Sequence, residues 1–275
     1  PDWASQIIEA LPDNIYVMCV SEWGKPITRG GIGSGVGEYS LSAVGPGPRA
    51  SRHWALAKKR GLQTVAKIQA NCSWELSAVP SLPVMNLVAQ HYSNLAQTDI
   101  DGMMMSWSLG GYPSPNLELA EYFDSKPVPT VEQALTQMGE SRYGSDAAPD
   151  ALAAWSKFSI AFSEYPFHGG FVYTGPVQCG PANLLYAQPT GYHATMVGFP
   201  YDDVNTWRAI YPAEVLAWQF EKIATGWEQG LSCLQSAQRR HGTTAQRANL
   251  HTDLGIAQAA GLHFRSLANQ IRFVM

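Results

Sequence analysis

The sequence predicts an α/β protein in two parts: a parallel-stranded portion over residues 1–125, then a mostly α-helical region over residues 126–275. Three observations predict it. Three β-rich runs, "NIYVMCVSEW" (14–23), "TVAKIQANCSW" (64–74) and "GMMMSWS" (102–108), alternate with helical segments. Loops before these runs are short and loops after them are long, notably the Gly- and Pro-rich stretch 24–48. Beyond residue 125, two long stretches (213–241 and 243–273) keep helical periodicity and are broken only by "HG".

Each element has a local reason. "DWASQIIEALP" reads as a helix already under way at the first residues, so the chain is expected to be a piece of something longer. "RASRHWALAKKRG" is helical and stopped by Gly61. "PVMNLVAQHYSNLAQ" sets Leu87, Val88, His91 and Leu95 on one face, and "PNLELAEYF" has Pro115 near its helix start. The β-α-β-α-β-α order implies a parallel sheet with right-handed crossovers. Further on, Thr130 is placed to cap "VEQALTQMGE", and "PDALAAWSKFSIAF" continues the helices. Within the loop-rich segment after it, "FVYTG" and "ATMVGF" are expected as short strands, and the last two helices as an antiparallel hairpin.

Composition narrows the function. A net charge of −4 argues against nucleic acid or an anionic membrane surface as partner, and no apolar run approaches a membrane span. Nine Trp, 12 Tyr and 9 Phe against only 15% charged residues suit ring-lined clefts, although aromatics also fill cores. Cys19, Cys72, Cys179 and Cys233 have no metal-finger spacing and read as buried free thiols, with one or two disulfides as the alternative. Asn71 heads an Asn-Cys-Ser sequon but lies in strand-like sequence. Neither a metal nor an organic cofactor is expected: the histidines lack ligand spacing, and the glycine-rich loop fits neither a dinucleotide nor a P-loop pattern. A serine-hydrolase elbow is absent as well.

The chemistry gathers at the ends of the β-rich runs. Alternation sets Lys67, Gln69 and Asn71 on one face of the second run, an unusual polar face for a parallel strand. The runs end in Glu22-Trp23, in Trp74-Glu75 and at Trp107, pairing carboxylates with rings. Sugar hydrolysis uses such a set, because two carboxyl groups flank the scissile bond and desolvation raises the proton donor's pKa. Glu22 and Glu75 are therefore the candidate catalytic pair. Trp23, Trp74, Trp107 and Tyr112 are candidate aromatic walls, and Asn71 and Asn116 candidate hydroxyl binders. Arg29 and Glu38, from the glycine-rich loop, are placed to close over a ligand, and "YDDVNTWR" adds Tyr201, Asp202, Asp203, Trp207 and Arg208. The plainer readings are ring packing for each Trp, an ion pair of Glu22 with Lys67, and helix capping by Asp202 or Asp203.

On "VSEW", "NCSWEL" and "MMSWSLGGYPSPN" the first 125 residues resemble the C-terminal part of a glycoside-hydrolase-type eight-stranded (β/α) barrel protein with an appended helical domain. The resemblance implies that these are the last strands of a TIM-like barrel. It makes Trp107 a sugar-subsite floor after a non-proline cis peptide at Ser106-Trp107, and Glu75 the glutamate of the penultimate strand. The expected function is thus a glycoside hydrolase-like protein acting on or binding a carbohydrate. The alternatives are a non-catalytic carbohydrate-binding or scaffold protein, and a Schiff-base lyase using Lys67. A phosphate site at Gly110-Gly111 is disfavoured by Pro113 and Pro115. Expected partners are a carbohydrate ligand and either a missing N-terminal part or a second copy; a secreted or periplasmic location is preferred to a cytoplasmic one.

Overall fold

The computed structural model describes residues 2–106, 110–196, 198 and 200–275. Helix α1 (Asp2–Ala10) precedes strand β1 (Tyr16–Val20), hairpin strands β2 (Pro26–Arg29) and β3 (Ile32–Gly35), and helix α2 (Pro48–Lys59). Then follow β4 (Gln63–Lys67), α3 (Met85–Thr98), β5 (Gly102–Met104), α4 (Pro115–Phe123), α5 (Val131–Tyr143) and α6 (Ala148–Phe162). The chain ends with the one-turn α7 (Gly169–Val172), three 3₁₀ turns, α8 (Ala213–Gln238) and α9 (Thr244–Val274).

Strands β1, β4 and β5 pair in parallel in that spatial order, with Tyr16 opposite Gln63 and Val65 opposite Gly102. The glycine-rich loop is not all loop: it folds into the antiparallel hairpin β2–β3. The expectation of a TIM-like barrel is overturned, because 52% of the chain is helical and, among the described residues, five short strands form two small sheets. The physical reason lies in the second β-rich run. Regular strand structure ends at Lys67; the Ile68 and Ala70 amides still donate to Met104 O and Met105 O, but Gln69 and Asn71 lie in a loop instead of extending a strand face into a lumen. The expected strand at "FVYTG" is instead α7 and the turn after it. "ATMVGF" contributes a single bridge between Thr195 and Gly198, and its Val197 and Phe199 lie outside the described residues.

The helices owe their ends to ordinary chemistry. Thr130 with Gln133, and Thr243 with Gln246, form reciprocal capping boxes that start α5 and α9. Ser114 caps α4 by accepting from Leu117 N, with Pro115 fixing the first turn. Gly61 (φ +76°) turns the chain out of α2 in the left-handed region, where Leu62 N donates to Ala57 O.

One hydrophobic cluster runs from Ile27 through the sheet to Ile271. Its helical centre is aromatic: Phe158 of α6 lies 4.5 Å from Trp227 of α8, and Trp227 lies 5.0 Å from Phe264 of α9. Such ring pairs add roughly 0.5–1.5 kcal/mol each beyond the apolar area they bury. α8 and α9 run antiparallel, as Arg272 and Arg265 pairing with Glu221, and Arg265 with Glu228, require. Gly230 lets α8 approach α6 closely, since a Cβ there would lie 2.4 Å from Phe158.

Candidate functional site

The carboxyl ends of β1 and β4 carry a polar cluster with a sealed inner half and a half-exposed outer half. The inner half begins where β1 stops. Ser21 N continues the ladder by donating to Lys67 O at 3.0 Å, and Ser21 Oγ meets His91 Nε2 of α3 at 2.7 Å. His91 Nδ1 lies 3.7 Å from Glu22 Oε1, too far for a hydrogen bond. All three residues are buried. Burial, helped by the nearby Lys25 ammonium, pushes the His91 imidazole down to about 3. Burial likewise raises the Glu22 carboxyl well above its ordinary value, and the charges of Glu75 and Glu38 add to the rise. His91 is therefore neutral near pH 7, and its contact with Glu22 is not an ion pair. The order Ser–His–Glu has the composition of a nucleophile relay, but Ser21 is sealed. Gly45 closes over it so tightly that a Cβ there would lie 2.5 Å from both Ser21 Oγ and His91 Nε2.

Glu75 belongs to the same sealed layer. Its Oε1 accepts from Ser40 Oγ (2.7 Å) and Ser42 Oγ, and its Oε2 from Leu41 N (2.6 Å) and Ser73 Oγ (2.8 Å). Burial pushes its carboxyl up, while the serine hydroxyls and the Leu41 amide pull it back down. With this many donors converging on it, Glu75 is the knot that ties the β3–α2 loop to the loop after β4. Glu22 has one oxygen, Oε2, buried with no hydrogen-bond partner.

The outer half is reachable. Lys67, at the end of β4, is half-buried with its Nζ 5.4 Å above the Tyr39 ring. Neighbouring Glu38, also half-buried, accepts from Tyr39 N (3.1 Å) and from Tyr173 OH (2.7 Å). The Tyr173 ring lies 5.9 Å from Trp74, tilted at 54°. Burial together with the adjoining Glu38 raises the Tyr173 phenol, so it stays a donor. Trp74 is fixed from behind, where Gln178 donates to its carbonyl at 2.7 Å.

Other residues singled out from the sequence turn to structural work. Asn71 donates to Gly110 O (2.6 Å) and Tyr112 O (2.7 Å) and accepts from Ser114 Oγ, holding the turn that leads into α4. Asn116 donates to Ala70 O and Leu82 O. Tyr112 is exposed and Trp23 carries the Arg49 guanidinium 4.5 Å above its ring. Arg29 donates to Thr28 O and Ser42 O. Trp107, and with it the expected Ser106-Trp107 peptide geometry, lies outside the described residues. The segment from Tyr201 to Arg208 serves its own loop. Asp202 accepts from Thr190 N, Asp203 caps a 3₁₀ turn through Asn205 N, and Arg208 holds Asn205 and Tyr211 O. Tyr201 and Trp207 are buried in the core, with Trp207 6.4 Å from Phe171.

Lys25, Tyr39, Ser40, Ser42 and Tyr173 were missed by sequence reasoning. Tyr173 joins the site from 135 positions beyond Glu38, and no local pattern announces it. His91 was noticed as a histidine on an apolar face, which gave no hint of its Ser21 partner. No cluster of three or more His, Cys, Asp or Glu side chains fit to hold a metal occurs among the described residues, and the four cysteines are free thiols.

No family model, curated protein or solved structure matches the chain. With neither a matching family nor a barrel, the resemblance to glycoside-hydrolase barrels is withdrawn. What remains is a mostly helical α/β protein with a polar, ring-bearing surface at the carboxyl ends of a small parallel sheet, the place where open α/β sheets put ligands.

Proposed function

We propose that this protein binds a hydroxyl-rich ligand of the carbohydrate class on the face formed by Trp74, Tyr173, Glu38 and Lys67. The observation that carries the reading is the Glu38 carboxylate between the Tyr173 hydroxyl and the Tyr39 amide, 2.7 Å and 3.1 Å away, beside the Trp74–Tyr173 ring pair. A carboxylate offers about four acceptor directions. Two of Glu38's are used, so it retains capacity for ligand hydroxyls. The rings supply the apolar surface on which a sugar's C–H face rests.

The reading is of binding without cleavage. Glu75 is saturated by Ser40, Leu41 and Ser42 of the β3–α2 loop and by Ser73, and Glu22 lies sealed beside His91. A pair of carboxyl groups flanking a glycosidic bond is what hydrolysis requires, and neither of these reaches the surface. Binding to a glycan microarray tests the proposal, with Trp74→Ala and Glu38→Gln in parallel. Retention of a defined glycan subset by the wild type, lost in both variants while their circular dichroism is unchanged, supports it. Absence of any retained glycan, or retention untouched by both substitutions, refutes it.

A further inference from the structure

Helices α3 and α4 end in different electrostatic surroundings. The C-terminus of α3, at Thr98, is met by a cation: the Lys58 ammonium donates to Thr98 O (3.1 Å) and pairs with Asp99 (3.3 Å). α4 ends at Phe123 with no basic residue in its last turn. It carries Glu121 and Asp124 there instead, both exposed, where the partial negative charge of a helix C-terminus disfavours a carboxylate. Neither makes an ion pair among the described residues. Arg142 is committed to Glu118 and Asp253, and Lys126, next along the chain, pairs with neither acid.

These two carboxylates rim a groove of about 360 Å³ between the second half of α3, the end of α4 and β5. Asp101 is the third acid on the rim, aimed by Thr64, whose N and Oγ1 donate to its Oδ2 at 2.7 and 3.0 Å. No basic side chain lines the groove. Its floor is apolar, made by Leu95, Met103, Met105 and the rings of Tyr92 and Phe123, which lie 6.2 Å apart. The volume is that of a small-ligand site.

We propose that this groove binds a small organic cation with an apolar body, of the arylalkylammonium class. The ammonium answers the three carboxylates and the uncompensated end of α4. The aryl body rests on the floor, where methionine thioethers make favourable contacts with aromatic rings. A bare metal ion fits worse, because no group of three His, Cys, Asp or Glu side chains fit to hold one occurs among the described residues. An added β-strand finds little to pair with: β5 spans only Gly102–Met104, and Met104 O already accepts from Ile68 N (2.9 Å). The groove shares no residue with the face at Trp74 and Tyr173, so the inference does not rest on the carbohydrate reading.

Methyl NMR of the intact chain with isotope-labelled methionines tests it, by titration with phenethylammonium and with phenethyl alcohol and phenylacetate as neutral and anionic counterparts. The expected result is a saturable shift of the Met103 and Met105 methyls by the ammonium ion, with Met18 on β1 and Met138 in the core unmoved. The alcohol and the carboxylate should bind far more weakly. Glu121→Gln combined with Asp124→Asn should weaken ammonium binding about tenfold and leave the circular dichroism unchanged. Met103 and Met105 methyls indifferent to phenethylammonium overturn the proposal. So do equal shifts from the alcohol, or full affinity in the folded double variant.

Discussion

Ser21 Oγ and His91 Nε2 stand 2.7 Å apart, joining the residue that follows β1 to the apolar face of α3. This contact lies at the bottom of the strand-end cluster, and its chemistry is that of a neutral, sealed hydrogen bond. It contributes to the protein's response to acid.

His91 is held down at about 3, below the ordinary imidazole value of 6.5. The folded state therefore binds fewer protons than the unfolded state between these two values. The stability His91 contributes is complete above about pH 6.5 and is lost as pH falls toward 3, with a limiting slope of about 1.4 kcal/mol per pH unit. Glu22 acts with the opposite sign: its raised carboxyl favours the folded state at low pH, and that contribution fades as pH rises above the ordinary glutamate range. His91→Gln should flatten the decline between pH 6.5 and 3 in urea unfolding followed at several pH values. An unchanged slope contradicts the assignment.

Glu75, a candidate catalytic carboxylate of the sequence, is a buried acceptor of several hydrogen bonds. Removing a carboxylate that accepts from Ser40, Ser42, Ser73 and Leu41 N strands several buried donors. Glu75→Ala should cost about 3 kcal/mol or more, and Glu75→Gln a smaller loss, because the amide still accepts through one oxygen. Denaturant midpoints measure both. A fully stable Glu75→Ala variant would show the knot to be dispensable.

The helical half has a knot of its own. Asp253 of α9 accepts from Arg142 Nε (2.9 Å), Arg142 Nη2 (3.2 Å) and Tyr143 OH (2.7 Å), fastening α9 to α5. Asp253→Ala leaves a largely buried guanidinium without its main partner and should cost roughly 3–5 kcal/mol. Arg142→Met with Asp253→Leu should recover part of the loss, because a buried pair is replaceable by apolar side chains. Failure of the double variant to recover stability would assign the loss to another cause.

Gly230 is a test of close helix packing. Alanine favours a helix over glycine by about 1 kcal/mol, but its Cβ would stand 2.4 Å from Phe158. Overpacking of this kind costs about 1–3 kcal/mol, so Gly230→Ala should be net destabilising in thermal unfolding. A gain in stability would mean that Phe158 yields without cost.

Much of the helical framework was legible because its signals are local. The face of α3 carrying Val88, His91 and Leu95, the Thr130 cap and the hairpin of α8 and α9 all follow from periodicity and capping chemistry. The barrel was misread because strand alternation was extended past Lys67 into Gln69 and Asn71, whose backbone is loop. Parallel order among three strands is common to several architectures and does not by itself imply closure. The site was half legible. Glu38, Trp74 and Lys67 lie in or next to segments marked by composition, whereas Tyr173 and the serines around Glu75 reach the cluster only through tertiary folding. Glu22 closely follows the end of β1, whereas Glu75 sits in the loop beyond Lys67, and the burial of both is not displayed by sequence.

The central claim is that the outer face at Trp74 and Tyr173 receives a carbohydrate while the layer beneath it stays sealed. Chemical-shift mapping of the tryptophan indole Nε1–H resonances during titration with glycans tests this most directly. The account predicts a saturable shift of the Trp74 resonance, with those of the core residues Trp54, Trp155, Trp207 and Trp227 unmoved. A Trp74 resonance indifferent to every glycan, or shifts confined to the core tryptophans, would contradict it.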